Sequence, residues 1–283
     1  MAEPRRFFPG RGAHDPGLAL FLNAGDPGPP ERFEELLLML DESGVDCLEL
    51  AVPFPDSITD GPVIRRSALR ALDSGVDLAW TLDLLARVRP RMRHTRVALL
   101  ADWRASVHPV GPREFLARAR DAGADGVLVH GAPPRARPGC LEAAAHLGQP
   151  MVTTCYARSD PAVLEEAART ASAYLYLVAH YGRTGSAALD RGSLEPVLSR
   201  LKKLTEVPVA VGFGVRTAAD VAAVGRLGAD AAVVGTAVVA RLERALLTGA
   251  DPVTEARACV AELLESAAGP PGSATDTSTG RNP

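Results

Sequence analysis

The chain has 283 residues, 47% of them apolar and 23% charged, with a formal net charge of −3. That is ordinary globular usage, enough for one large domain or two small ones, and it excludes the basic surface of a nucleic-acid or anionic-membrane binder. No apolar run approaches the roughly 18 residues of a membrane helix, residues 1–17 lack the hydrophobic centre of a secretory signal, and Cys47, Cys140, Cys155 and Cys259 show no metal or redox spacing, as expected of a reducing cytosol.

Leu18–Asn23 reads as a short apolar strand, closed by the turn signal Ala24-Gly-Asp-Pro-Gly-Pro-Pro. A helix is expected from about Glu31, with Phe33, Leu36, Leu37 and Leu40 on one face, and Gly44 ends it. A strand then runs through Glu49 into a proline-rich loop. After Asp60-Gly-Pro come helices over 63–72 and 77–88. A strand over 95–101 opens into the loop Asp102-Trp103-Arg104. A helix over 112–122 has Pro112 in its first turn. A strand over 126–129, a Pro- and Arg-rich loop over 131–139, a helix over 141–147 and a strand over 151–154 follow. Asp160-Pro161 reads as an N-cap and first-turn proline for a helix over 162–170. The strand 174–178 leads into a Gly- and Ser-bearing loop over 180–192. A helix over 193–204 precedes a strand over 207–211. Thr217 with Asp220 has capping-box spacing for a helix to 227. The strand 231–234 runs into Gly235-Thr236, and helices over 237–247 and 252–266 follow. Residues 1–268 are read as one domain. Residues 269–283, rich in Gly, Ser, Thr and Pro, are expected to be disordered.

A sequence echo supports this count of units. Ser43-Gly-Val-Asp, Ala122-Gly-Ala-Asp and Leu227-Gly-Ala-Asp each end a helix on a glycine and lead into an apolar strand. Strand–helix alternation with strands this apolar means a parallel sheet covered by helices. Eight such units in about 250 residues predict a (β/α)₈ barrel with extra helices; an open doubly wound sheet is the alternative.

The segment Leu48-Glu-Leu-Ala-Val-Pro-Phe-Pro-Asp-Ser-Ile-Thr-Asp-Gly-Pro is the centre of the functional reading. On a strand, Leu48, Leu50 and Val52 share one face, and Glu49 takes the other between Cys47 and Ala51. A carboxylate there is expensive to desolvate. It is either neutralised by a Lys or Arg from a neighbouring strand or used for its raised proton affinity. Asp56 and Asp60 follow in the loop, where Asp beside Gly and Pro also serves ordinary turns. In a (β/α)₈ barrel the strand ends and the loops after them form the mouth, so Glu49 and Asp60 are expected to face the same site.

Tyr176 lies in the sixth strand with Tyr174 and Val178 on its face, where core filling and function are both open readings. Three strand ends carry glycine: Gly182-Arg-Thr-Gly185, Gly212-Phe-Gly214 and Gly235-Thr236. Glycine lets backbone N–H groups approach an anion, helix starts add positive potential, and barrels often hold phosphate after the seventh and eighth strands. A phosphorylated small molecule is the expected ligand. There is no metal triad, no thiol paired with a base and no dinucleotide fingerprint.

These residues resemble the tryptophan synthase alpha chain family over roughly residues 18–247. The most specific part is the Glu49 strand with Val52-Pro-Phe and Asp60-Gly-Pro. Gly25-Asp-Pro-Gly, residues 174–185, Gly212 to Gly214 and Gly235-Thr236 add to it. The resemblance implies a barrel that cleaves indole-3-glycerol phosphate to indole and glyceraldehyde 3-phosphate, with no cofactor and no metal. It implies a beta chain carrying pyridoxal phosphate as the usual partner. It implies Glu49 as general acid/base, Asp60 as partner of the indole N–H, and Tyr176 as an active-site tyrosine. Thr184, Gly185, Gly214, Gly235 and Thr236 are implied as phosphate-binding positions.

The chain departs from the family pattern at Ala51 and Pro55-Asp-Ser57, and in the loops Asp102-Trp-Arg104 and Gly131-Ala-Pro133. The family meets its beta chain through such loops. Proline at position 55 restricts the free loop, and Trp103 is expected to pack over the barrel mouth and hold Asp60. The functions weighed are therefore the synthase alpha chain, a standalone lyase supplying indole to another pathway, and a non-catalytic activator of a beta chain. A sugar-phosphate isomerase is disfavoured because no Lys or His is expected at a strand end near Glu49.

Overall fold

A computed structural model describes residues 7–9, 15–179, 191–212 and 214–265. The strand–helix alternation is realised as β1 (Gly17–Asn23), α1 (Pro30–Glu42), β2 (Cys47–Ala51), α2 (Pro62–Asp73), α3 (Leu78–Val88), β3 (Arg96–Asp102), α4 (His108–Val110), α5 (Pro112–Asp121), β4 (Gly126–His130), α6 (Arg137–Leu147), β5 (Thr153–Tyr156), α7 (Pro161–Thr170), β6 (Leu175–Val178), α8 (Arg191–Leu204), β7 (Val209–Gly212), α9 (Ala218–Arg226), β8 (Ala231–Val234), α10 (Thr236–Thr248) and α11 (Pro252–Glu265). The strands are parallel and ordered β4-β3-β2-β1-β8-β7-β6-β5. A parallel bridge between Val127 of β4 and Met151, just ahead of β5, joins the two ends into a cylinder. The barrel, not the open sheet, is the fold.

Alternation along the strands builds two cores. Leu18, Leu20, Leu48, Leu50, Leu99 and Val209 face outward into the layer beneath the helices. Ala19, Cys47, Ala98, Ala210 and Ala231 face the barrel axis with Tyr174, Phe7 and Phe8. Eight strands leave an interior just wide enough for side chains to fill, so small residues from most strands accommodate a few large rings.

The repeated Gly-X-Asp has a physical role at the foot of the barrel. Gly44, Gly123 and Gly228 take φ of +80°, +93° and +89°, the left-handed turn that ends the preceding helix. The aspartate two residues later accepts an N–H from the first or second residue of an adjacent strand. Asp46 Oδ2 takes Leu18 N–H at 2.8 Å, Asp125 Oδ2 takes Val97 N–H at 2.9 Å, and Asp230 Oδ2 takes Val209 N–H at 2.6 Å. Each echo closes one strand-pair edge that the ladder leaves open.

Several boundaries differ from expectation for local reasons. Helix α6 starts at Arg137 because Pro138 is compatible with a first turn. The seventh strand begins at Val209, since Pro208 has no N–H for the ladder. The fifth strand lies two residues further on, running to Tyr156, where it pairs with Val178.

The loop expected at Asp102-Trp103-Arg104 is instead the last strand residue followed by a π-helical turn, Trp103–Val107. Asp102 Oδ1 caps that turn through the N–H groups of Arg104 and Ala105, both at 2.9 Å. Because Asp102 pairs with His130 on the inward face, Trp103 points outward, packs on the outer core and meets the His108 ring edge at 5.5 Å. Trp103 therefore does not cover the mouth, contrary to the expectation for it. Thr184, Gly185, Phe213 and the tail expected to be disordered lie outside the described residues.

Candidate active site

A pocket opens at the C-terminal end of the barrel. Its wall takes residues from several strands at inward positions: Phe21 of β1, Glu49 of β2, Leu100 and Asp102 of β3, Leu128 and His130 of β4, Thr154 and Tyr156 of β5, Tyr176 of β6 and Val233 of β8. The expected Glu49, Asp60, Tyr176, Gly214, Gly235 and Thr236 all line it.

Glu49 is 1% exposed. It sits in register between Phe21 and Ala98 of the flanking strands, which offer no charge. Its hydrogen-bond partner is a phenol rather than a cation: Tyr174 O–H donates to Oε1 at 2.6 Å. Burial raises the carboxyl's pKa from its ordinary 4.5 to about 7, partly offset by the bond from Tyr174. Of the two readings left open by the sequence, the structure has the one with raised proton affinity. Tyr176 is held well above the ordinary phenol range by burial and by the nearby charges of Glu49 and Asp60, so it remains a neutral donor.

The two loop aspartates separate. Asp56 takes φ +59°, the left-handed conformation Asp tolerates in tight turns, and points to solvent. Asp60 stands against the pocket, immediately before Gly61 and the Pro62 start of α2. Its N–H donates to Ser57 Oγ at 3.3 Å. The start of α2 is tied to β1, because Asn23 Nδ2 donates to Ile64 O at 3.2 Å and Ser67 Oγ at 3.0 Å.

On the other side of β1, Gly235 is the N-cap of α10 and Thr236 its first residue. A Cβ on Gly235 would stand 3.3 Å from Phe21 Cβ, and Gly214 takes φ +103°. Backbone N–H groups at a helix start beside two glycines are what a phosphate group requires. Gly212 has a different reason: a Cβ there would lie 2.3 Å from the Tyr176 hydroxyl oxygen.

Sequence reading misses two neighbours of the carboxylates. It places Tyr174 only as a companion of Tyr176 on one face. It does not find His130 at all, because it ends the fourth strand at Val129. The strand extends one residue, which turns the imidazole inward; Nε2 lies 3.5 Å from Thr59 Oγ1 and the ring 6.3 Å from Phe54. A histidine therefore does stand at a strand end in this pocket, and its supposed absence does not count against an isomerase. Among the described residues, no group of three His, Cys, Asp or Glu is arranged to hold a metal ion, and no helix is long and apolar enough to cross a membrane.

A desolvated acid, a loop carboxylate and a glycine-flanked helix start, gathered at the C-terminal mouth of a (β/α)₈ barrel, place the chain in the class of barrel enzymes. Comparison with known proteins narrows the class. The tryptophan synthase alpha chain family model matches residues 11–268, and the chain belongs to that family. The alpha chain of Burkholderia thailandensis is 41% identical over 229 residues, covering 81% of this chain and 83% of that one. The alpha chain of Methylococcus capsulatus is 36% identical over 254 residues, covering 90% and 92%. Among solved structures, the alpha subunit of Legionella pneumophila superposes with a TM-score of 0.80 at 28% identity, covering 89% of this chain and 92% of that one. A mutant alpha subunit from Pyrococcus furiosus gives 0.78 at 31%, covering 89% and 98%.

Proposed function

We propose that this chain is an indole-3-glycerol phosphate lyase, with Glu49 as its general acid and base. The observation that carries the reading is the Glu49 carboxyl, buried, bonded to a phenol and set to exchange a proton near neutrality. Tyr174 engages Oε1, so Oε2 is the oxygen that carries the transferable proton.

In the forward direction Glu49 gives its proton to C3 of the indole ring, and the positive charge that appears on the ring nitrogen is balanced by the Asp60 carboxylate. Glu49, now ionised, removes the proton of the hydroxyl next to C3. The carbon–carbon bond breaks, its electron pair restores the indole, and the hydroxyl carbon becomes the aldehyde of glyceraldehyde 3-phosphate. Glu49 ends protonated, as it began. Tyr176, on β6 across the barrel from β2, faces both carboxylates as a neutral donor. Gly214, Gly235 and Thr236 hold the phosphate, joined by Thr184 and Gly185 of the segment outside the described residues.

Two results follow. Because the first step is proton donation, kcat/KM is expected to be level at acid pH and to fall as pH rises through about 7, where Glu49 loses its proton. Gly235→Val is expected to raise KM for indole-3-glycerol phosphate at least about tenfold, since the added side chain meets Phe21 and blocks the helix start. In the reverse reaction KM for indole should change little. An equal rise for both makes the glycine merely structural.

The partner reading favours a beta chain, in the cytoplasm. With Trp103 turned outward, the device that would make the isolated chain self-sufficient is missing. Ile58, in the loop that ends at Asp60, is 84% exposed, an apolar side chain set on the catalytic loop where a partner can cover it. The purified chain is expected to release indole slowly, and a beta chain to accelerate it by more than about tenfold, which is about 1.4 kcal/mol of barrier. Stimulation below threefold would return the protein to the standalone lyase.

A further inference from the structure

Beneath the catalytic carboxyl, the barrel is filled from the N-terminus. Phe7 and Phe8 are 4% and 5% exposed and belong to the interior cluster with Cys47 and Tyr174. Their ring centroids lie 5.2 and 5.3 Å from that of Tyr174, the second at an edge-on 71°. Two strand-start glycines make the space. A Cβ on Gly17 would stand 2.8 Å from Phe8 Cδ1, and one on Gly126 would stand 2.8 Å from Phe7 Cζ. At this level the strands supply alanines, Ala19, Ala98, Ala210 and Ala231, which leave the centre to the three rings. Packing this close transmits any loss directly to its neighbours. The nearest functional neighbour is the Tyr174 phenol bonded to Glu49.

We propose that Phe7 and Phe8 are positioning residues of the reaction: they form an aromatic floor that fixes the Tyr174 phenol under Glu49 and keeps water at the foot of the barrel away from the carboxyl. The inference rests on Glu49 being the acid and base of the proposed reaction.

Removing one ring opens a cavity within the cluster that holds Tyr174 and Cys47, and water entering at the foot of the barrel then reaches the layer beneath Glu49. A hydrated carboxyl holds its proton less firmly than a dry one. Among the described residues, the titratable groups facing Glu49 are Cys47 on its own strand and Tyr174 and Tyr176 from the β6 side. Asp60, Asp102, His130, Tyr156 and Arg216 stand nearer the pocket mouth. A substitution at the floor leaves all of them in the chain, so a change in proton affinity reports solvent reaching the carboxyl from below.

The test compares wild type, Phe7→Ala, Phe8→Ala and Phe8→Leu in the full chain. Indole release from indole-3-glycerol phosphate is followed from pH 5.5 to 9, with the melting temperature taken at each pH. In the alanine variants the alkaline limb of kcat/KM should move down by about one pH unit, which lowers activity about tenfold at pH 8 and leaves it within about twofold at pH 5.5. KM for the phosphorylated substrate should stay within about twofold, because the phosphate cradle lies at the other end of the barrel. Phe8→Leu, which keeps much of the bulk and loses the edge contact, should move the limb in the same direction by less. It decides the matter should the alanine variants not fold. A limb that stays in place in a folded variant, or a loss equal at every pH, overturns the proposal. A Glu49→Gln enzyme that remains active instead overturns the reaction assignment beneath it.

Discussion

Glu49→Gln is expected to lower turnover at least about a hundredfold, the usual scale for a general acid–base group, and at pH 8 to make the folded chain more stable by up to about 3 kcal/mol. Both effects have one source. The folded chain raises the pKa of this carboxyl from 4.5 to about 7 by burying it. Below the unfolded value both states carry the proton, and burial of a neutral acid costs little. As pH rises from 4.5 towards 7 the unfolded chain ionises while the folded chain does not, and stability is lost. Above about 7 the loss is complete. A gap of about 2.5 in pKa, at about 1.36 kcal/mol each, gives the figure above. Glutamine does not ionise and still accepts from Tyr174, so it avoids the loss at pH 8 and gains nothing at pH 4. Urea unfolding of both proteins at the two pH values checks the energy, and indole release checks the rate. A Gln variant no more stable than wild type at pH 8 would falsify the claim that this carboxyl is held in a dry cage.

Most of the fold was legible, because each unit carries its own local signal. Apolar alternation marks the strands, the glycine after α1, α5 and α9 takes the left-handed turn it suggests, and Thr217 with Asp220 makes the expected capping box. Errors fell where a single residue decides a boundary. Pro208 delays β7, Pro138 advances α6, and one added residue at the end of β3 turns Asp102 inward and Trp103 outward. The last of these overturned the reading of Trp103 as a cover, since successive residues of a strand face opposite ways and Trp103 follows the inward Asp102.

The site was legible where chemistry is encoded within one segment, as in the stretch from Glu49 to Asp60. It was not legible where it depends on the closed barrel. Tyr174 meets Glu49 across 125 residues of sequence. His130 reaches the pocket through strand register, and Phe7 and Phe8 stand in a charged first segment that carries no strand or helix signal. No periodicity reports such pairs.

Asp60→Asn is expected to lower turnover by about a hundredfold while leaving the binding of an unreactive substrate analogue within a few-fold of wild type. The substitution keeps the size of the side chain and an oxygen able to accept from the ring N–H. It removes only the charge. Before reaction the indole is neutral, and its N–H bond to the carboxylate has one charged partner, worth about 1.5–3 kcal/mol. Once C3 is protonated the ring nitrogen is cationic, and attraction between two opposite charges in a partly desolvated site adds to that bond. An interaction that grows during the reaction lowers the barrier, whereas one of constant strength changes only affinity. Asp60 is well placed for this role. The residue lies against the pocket directly before α2, whose start is anchored to β1 through Asn23, so the carboxylate is in place before the charge forms. The measurement pairs indole release with calorimetric titration of an indole carrying a phosphorylated saturated chain without hydroxyls. That molecule fills the pocket and cannot be cleaved. If turnover and analogue affinity fall together, Asp60 is a binding group and the charge on the ring must be balanced elsewhere. If turnover alone falls, the loop carboxylate acts on the transition state.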